Sequence, residues 1–238
     1  MSDGAGVADS AGSGSDLPVK AVLFDIDGTI LTTGGAGAVA WSHAFQKVYG
    51  VPVDIELVTE SGMPDNEVAS TALRTVINRD PTQEEIDAVT ELYLANLPEA
   101  VADSKHYQLC PGIVERLEDL DSRGFLLGLT TGNIEPAARA KLERGDLNRF
   151  FSFGGFGSDS PDRAVLTAKA VERGIEASGG ELEVGNFISI GDTPRDVAAG
   201  HATGIKVIGV ATGHFTEKEL ADSGADWIIA TVETDFPA

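Results

Sequence analysis

The chain has 238 residues and 42% hydrophobic content, enough for one large globular domain or one domain carrying an insert, and too apolar for a disordered polymer. With 38 acidic and 17 basic residues its formal charge is -21, spread along the chain, which disfavours nucleic acid and anionic membranes, since both require a basic patch. No apolar stretch approaches the length of a membrane span, and a single cysteine excludes an internal disulfide and fits a reducing, cytoplasmic setting.

Residues 1–18 are mostly Gly, Ser, Ala and Asp, with neither a basic start nor an apolar stretch, and read as a disordered leader. The apolar run from Ala21 to Phe24 follows, as expected of a parallel strand buried on both faces. It ends in Asp25-Ile26-Asp27-Gly28-Thr29. Alternation along an extended chain points Asp25 and Asp27 the same way. Two like charges that close require a cation or a shared proton, and ligands of open α/β sheets bind at this end of the strands.

Helical spacing of apolar residues then predicts helices at 36–49, 65–78 and 83–104. Thr82, with Glu85 three residues on, predicts a capping box. Trp41 and Phe45, four apart, are expected to share a packed face. Ser61-Gly62-Met63-Pro64-Asp65 reads as a loop entering a helix, with Asp65 either at an ordinary helix start or in reach of a site.

After Cys110, which reads as a buried structural thiol, strands and helices alternate. Helices are predicted at 111–123, 135–144, 162–173, 194–203 and 217–223, and strands at 125–131, 150–153, 187–190, 206–210 and 227–229. The pattern is that of an α/β fold with a doubly wound parallel sheet. One strand tip carries Thr130-Thr131-Gly132-Asn133; another carries Gly191-Asp192-Thr193-Pro194-Arg195-Asp196. In the second, Thr193 can cap and Pro194 can start the next helix, which puts Asp196 on its first turn as a cap or a second carboxylate for a hard cation.

These motifs, in this order, resemble those of the haloacid dehalogenase-like hydrolases, phosphoglycolate phosphatase among them, over roughly residues 19–238. The resemblance implies a Rossmann-like core at 19–33 and 109–238, with an all-helical cap at 34–108 acting as a lid. It implies Asp25 as nucleophile and Mg2+ held by Asp25, Asp192 and the backbone carbonyl of Asp27. The Asp27 side chain would serve as acid and base; Gly28, Thr131, Gly132 and Arg163 would surround the phosphoryl group, with Asp196 behind them. Relatives usually carry a Lys where this chain has Ser158-Asp159-Ser160-Pro161-Asp162-Arg163, so Arg163 is expected to supply the cation and Lys169 is the alternative.

In the family so resembled, members that remove halide carry no acid at the position of Asp27, so the resemblance implies phosphate esters over carbon–halogen bonds; members that cleave carbon–phosphorus bonds need a cap lysine, for which Lys47, the lysine of the first cap helix, is a poor basis. The expected reaction is therefore hydrolysis of a small phosphorylated metabolite, phosphoglycolate first, then sugar phosphates and nucleoside monophosphates. A phosphomutase of the β-phosphoglucomutase type and a catalytically silent metal- or phosphate-binding regulator are the alternatives. The scarcity of lysine and the acids on every predicted helix fit a surface adapted to strong salt.

Overall fold

The computed structural model describes residues 18–60, 62–236 and 238; the rest of the expected leader, residues 1–17, and Ser61 lie outside the described residues. Among the described residues there are eight strands: β1 (Ala21–Phe24), β2 (Leu31–Thr32), β3 (Gln108–Leu109), β4 (Leu126–Thr130), β5 (Phe153–Gly155), β6 (Phe187–Gly191), β7 (Lys206–Val210) and β8 (Trp227–Ile229). The helices are α1 (Ala36–Tyr49), α2 (Ile55–Val58), α3 (Asp65–Ile77), α4 (Gln83–Asp103), α5 (Ile113–Ser122), α6 (Glu135–Glu143), α7 (Arg163–Ala177), α8 (Pro194–Thr203) and α9 (Glu217–Asp222).

Six strands form one parallel sheet in the order β5-β4-β1-β6-β7-β8. The chain steps outward from β1 in one direction through β4 and β5, then returns to β6 on the other side. That reversal leaves a crevice at the strand tips, the place where α/β sheets bind ligands. The period of two sorts the β1 side chains. Val22 and Phe24 pack with Leu117 of α5 and Leu142 of α6, while Ala21 and Leu23 pack with Ala170 and Val171 of α7. Each large side chain so buried contributes about 1.5–3 kcal/mol. The sheet is thus the interior layer of a Rossmann-like α/β core.

Helices α1 to α4 form the inserted all-helical cap. Its apolar centre holds Trp41, Phe45, Leu73, Tyr93 and Leu97, and Ile134 and Ala137 at the start of α6 belong to the same cluster. The capping box at Thr82 and Glu85 is formed, with both reciprocal bonds present. Strands β2 and β3, one on either side of the cap, pair antiparallel with Leu31 opposite Leu109.

Departures from the expected boundaries have local causes. Gly112 adopts φ 74° and delays α5 to Ile113. Residues Asn148–Phe150 turn as a 3-10 helix, which moves β5 to Phe153. Gly174 looks like a stop, yet α7 continues to Ala177; a Cβ there would come within 2.5 Å of Phe187, so the glycine serves close packing.

Candidate active site

The backbone N–H of Asp25 donates to the carbonyl of Ile190 at 2.9 Å, which fixes this acid at the carboxyl end of β1, beside β6. Three residues on, Gly28 takes φ 82°, and a Cβ there would lie 2.4 Å from Asp192 Oδ2. At the tip of β6 Asp192 is buried, and Gly213 passes so close that its Cβ would come within 1.7 Å of Oδ2. Thr193 caps α8 and Asp196 returns the bond. Asp196 Oδ2 accepts from Thr193 N at 3.0 Å and from Thr193 Oγ1 at 2.7 Å, and Asp196 N donates to Thr193 Oγ1 at 3.3 Å.

Asp25, Asp192 and Asp196 each offer a carboxylate oxygen, all within 4.8 Å of one another. Burial pushes the Asp25 carboxyl above the ordinary carboxylate range; Arg163 opposes the shift, while Asp196 and Asp27 add to it. Asp192 is raised too, by burial and then by the charges of Asp25 and Asp196. A compact set of hard oxygen donors whose charges repel is suited to a small divalent cation such as Mg2+. The glycine cradle around Asp192 leaves room for that oxygen and for no side chain in its place. The Asp27 side chain stands outside this cluster.

Arg163 opens α7, after Asp162, which caps the helix by accepting from Ala164 N at 2.9 Å. Its guanidinium is buried, with Nη2 2.9 Å from Asp25 and 2.5 Å from Asp196. Nη2 is thus held between two carboxylates, while Nε has no acceptor among the described residues. Nη1 donates to the carbonyl of Gly62, in the loop before α3, at 3.0 Å. Lys169 is exposed and pairs with Glu172 at 2.7 Å. Neither it nor Lys47, also exposed, lines the cavity.

Thr131 follows β4, and its N–H donates to Gly155 O at 3.0 Å. Its hydroxyl oxygen accepts from Asn133 Nδ2 at 2.9 Å. The next carbonyl, that of Gly132, accepts from Asp65 N at 2.9 Å, and Asp65 Oδ2 accepts in turn from Ile134 N at 2.9 Å. The loop containing Gly62 and Asp65 is therefore docked on the core motifs. Burial pushes the Asp65 carboxyl up to about 6, against the opposing pull of Lys141 and the bond from Ile134.

The residues that sequence reasoning gave no role are Asn133 and Lys141. Lys141 Nζ donates to Asp27 Oδ2 at 2.6 Å and to Asn133 Oδ1 at 2.6 Å. A signal was available. Ala137, Ala138, Lys141 and Leu142 are the buried face of α6, so the lysine occupies a core position of an amphipathic stripe.

Asp25, Asp27, Thr131, Lys141 and Arg163 meet in one cavity of about 510 Å3, whose other wall includes Trp41 and Tyr93 from the cap. Trp41 stacks on Tyr93 at 3.9 Å with the rings 4° apart, so it packs and lines the cavity at once. Phe45 is wholly buried. Cys110 is buried, its thiol pushed up to about 11 by burial, which removes it as a nucleophile.

Comparison with known proteins agrees with this geometry. The chain is 27% identical over 224 residues to phosphoglycolate phosphatase 1 of Pseudomonas aeruginosa, covering 92% of this chain and 79% of that protein. It is 26% identical over 218 residues to the phosphoglycolate phosphatase of Caulobacter vibrioides, covering 90% and 88%. The crystal structure of a predicted phosphoglycolate phosphatase from Haemophilus somnus superposes with a TM-score of 0.71 at 20% identity, over 90% of this chain and 95% of that one. A family model described as haloacid dehalogenase-like hydrolase matches residues 22–210, and the chain belongs to that family of enzymes.

Proposed function

We propose that this hydrolase is a Mg2+-dependent phosphatase that cleaves a small phosphate monoester through an aspartyl-phosphate on Asp25. The observation that supports the reading is that buried Asp25, one of three clustered acids, and the Arg163 guanidinium paired with it line one cavity. Asp25, Asp192 and the Asp27 carbonyl would hold the ion, whose charge offsets the repulsion between anionic nucleophile and anionic substrate. Asp196 serves behind them by orienting Arg163 at 2.5 Å.

An Asp25 oxygen attacks phosphorus as the ester P–O bond breaks, and the leaving oxygen takes a proton from Asp27. Water then attacks the aspartyl-phosphate, gives a proton back to Asp27, and orthophosphate departs from Asp25. Thr131, the Gly132 N–H and the Arg163 guanidinium bind the phosphoryl oxygens, with Gly28 leaving room beside Asp192. The cap, residues 34–108 inserted in a core of 19–33 and 109–238, closes the cavity and excludes water.

A cavity of about 510 Å3 admits a small phosphorylated substrate, and the names of the relatives favour phosphoglycolate, with a sugar phosphate next. The work is that of a metabolic enzyme of the cytoplasm. None of the helices described is long and apolar enough to cross a membrane. The test is release of inorganic phosphate from a panel of monoesters, with Mg2+, with chelator, and in Asp25→Asn. Turnover that needs the ion and vanishes in Asp25→Asn supports the reading. No release from any ester refutes it and favours a phosphomutase or a silent binder.

A further inference from the structure

We infer that Lys141 and Asn133 are positioning residues that lock the carboxyl group of Asp27, leaving its Oδ1 to face the leaving group; this rests on the reading of Asp27 as proton carrier. The argument is one of hydrogen-bond direction. Asp27 Oδ2 accepts from Lys141 Nζ at 2.6 Å and from Asn133 Nδ2 at 2.7 Å. Lys141 Nζ also donates to Asn133 Oδ1 at 2.6 Å, and Asn133 Nδ2 also donates to Thr131 Oγ1 at 2.9 Å. An ammonium group can only donate, so the amide oxygen must face Lys141 and the amide nitrogen must face Asp27 and Thr131. The three side chains form a closed ring in which Lys141 donates twice, Asp27 accepts twice and Asn133 does one of each.

Two donors on Oδ2 leave no place there for a proton. Oδ1 is therefore the oxygen through which a proton passes to the leaving oxygen as Asp25 displaces it. On the return step Oδ1 takes the proton of the attacking water. Without the ring this control would be lost, because the Asp27 side chain is 46% exposed and free to rotate and hydrate. Lys141 is only 8% exposed, on the apolar stripe of α6. An ammonium group buried at such a position costs several kcal/mol unless it is paired. Leu or Ala would fill the stripe without that cost. Asp65 of the cap also faces Lys141 and shares in compensating its charge.

The experiment measures kcat and KM of the full chain and of Lys141→Met, Lys141→Arg, Asn133→Ala and Asp27→Asn. The substrates are p-nitrophenyl, phenyl and an alkyl phosphate, in order of increasingly basic leaving groups. A thermal melt accompanies each variant, and if Lys141→Met does not fold, Asn133→Ala and Lys141→Arg carry the comparison. The expected result is a loss in kcat about tenfold or more greater on the alkyl ester than on the nitrophenyl ester, in both Lys141→Met and Asn133→Ala. KM changes little, and Lys141→Arg recovers part of the loss. Equal losses on all three esters, with the Asp27→Asn profile steepened, overturn the inference and leave the phosphatase standing. If Asp27→Asn does not steepen the profile either, the inference and the reading of Asp27 as proton carrier both fall while the phosphatase stands; a wild-type chain that releases no phosphate removes the phosphatase as well.

Discussion

Replacing Arg163 by Met tests whether one guanidinium holds the acid cluster together. Arg163 lies 2.9 Å from Asp25 and 2.5 Å from Asp196, with side-chain exposures of 9%, 6% and 3%. Removing one partner of a buried ion pair strands the other and costs about 3–5 kcal/mol. For a domain of this size each kcal/mol lowers Tm by about 2–4 °C, so Arg163→Met should melt roughly 6–20 °C lower in chelator. The acids can escape by taking up protons, at about 1.4 kcal/mol per unit of further pKa rise. An acid whose folded-state pKa is raised binds more protons folded than unfolded, so stability falls as pH rises through that window. The deficit should accordingly widen from mildly acidic to alkaline buffer. Asp196→Asn, which keeps an oxygen to accept from Thr193, should recover part of the loss in the double variant. Calorimetric melts at fixed ionic strength decide the matter. A drop below about 2 °C in chelator, or a double variant less stable than Arg163→Met, would refute the reasoning.

Two further outcomes follow from the site. Asp65→Ala leaves the Ile134 N–H without its partner and should lose about 1–3 kcal/mol, whereas Asp65→Asn keeps an acceptor and drops the charge. Since the Asp65 pKa rises from 3.8 to about 6, the wild type should lose up to about 3 kcal/mol on going from about pH 4 to about pH 7, relative to Asp65→Asn. Parallel pH–stability curves for the two proteins would sink that account. Gly213→Ala places a Cβ 1.7 Å from Asp192 Oδ2 and must swing this acid aside. Affinity for Mg2+ should weaken about tenfold or more with the fold intact, and titration calorimetry returning the wild-type constant would count against Asp192 as a ligand.

Much of this was legible because it is local. The run from Ala21 into Asp25, and Thr193-Pro194 with Asp196 three residues after the cap, are short-range signals, and α8 and β7 have the expected bounds. What escaped was long-range or contrary to pattern. Strands of two residues have no period to read, and the paired Leu31 and Leu109 lie on opposite sides of the whole helical insert in sequence. Asn133 and Lys141 drew no role from the sequence. Their shared partner, Asp27, lies more than a hundred residues earlier, and only the position of Lys141 on the apolar stripe hinted at it. The Arg163 expectation rested on a departure from a familiar pattern, and its burial against Asp25 supplies the physical ground that the sequence lacked.

The antiparallel pairing of β2 with β3 has a bearing on how such enzymes diversify. Two hydrogen-bonded strands bring the ends of the helical insert side by side, so to the core the insert is a loop whose ends already meet. Foreign inserts could be grafted at that neck without disturbing sheet register, since closing a longer loop costs only about 0.6 kcal/mol per doubling of length. The limit on exchange lies elsewhere, on α6. Ile134 and Ala137 belong to the apolar cluster of the insert, so a transplanted module must bring a matching face or leave that patch in water.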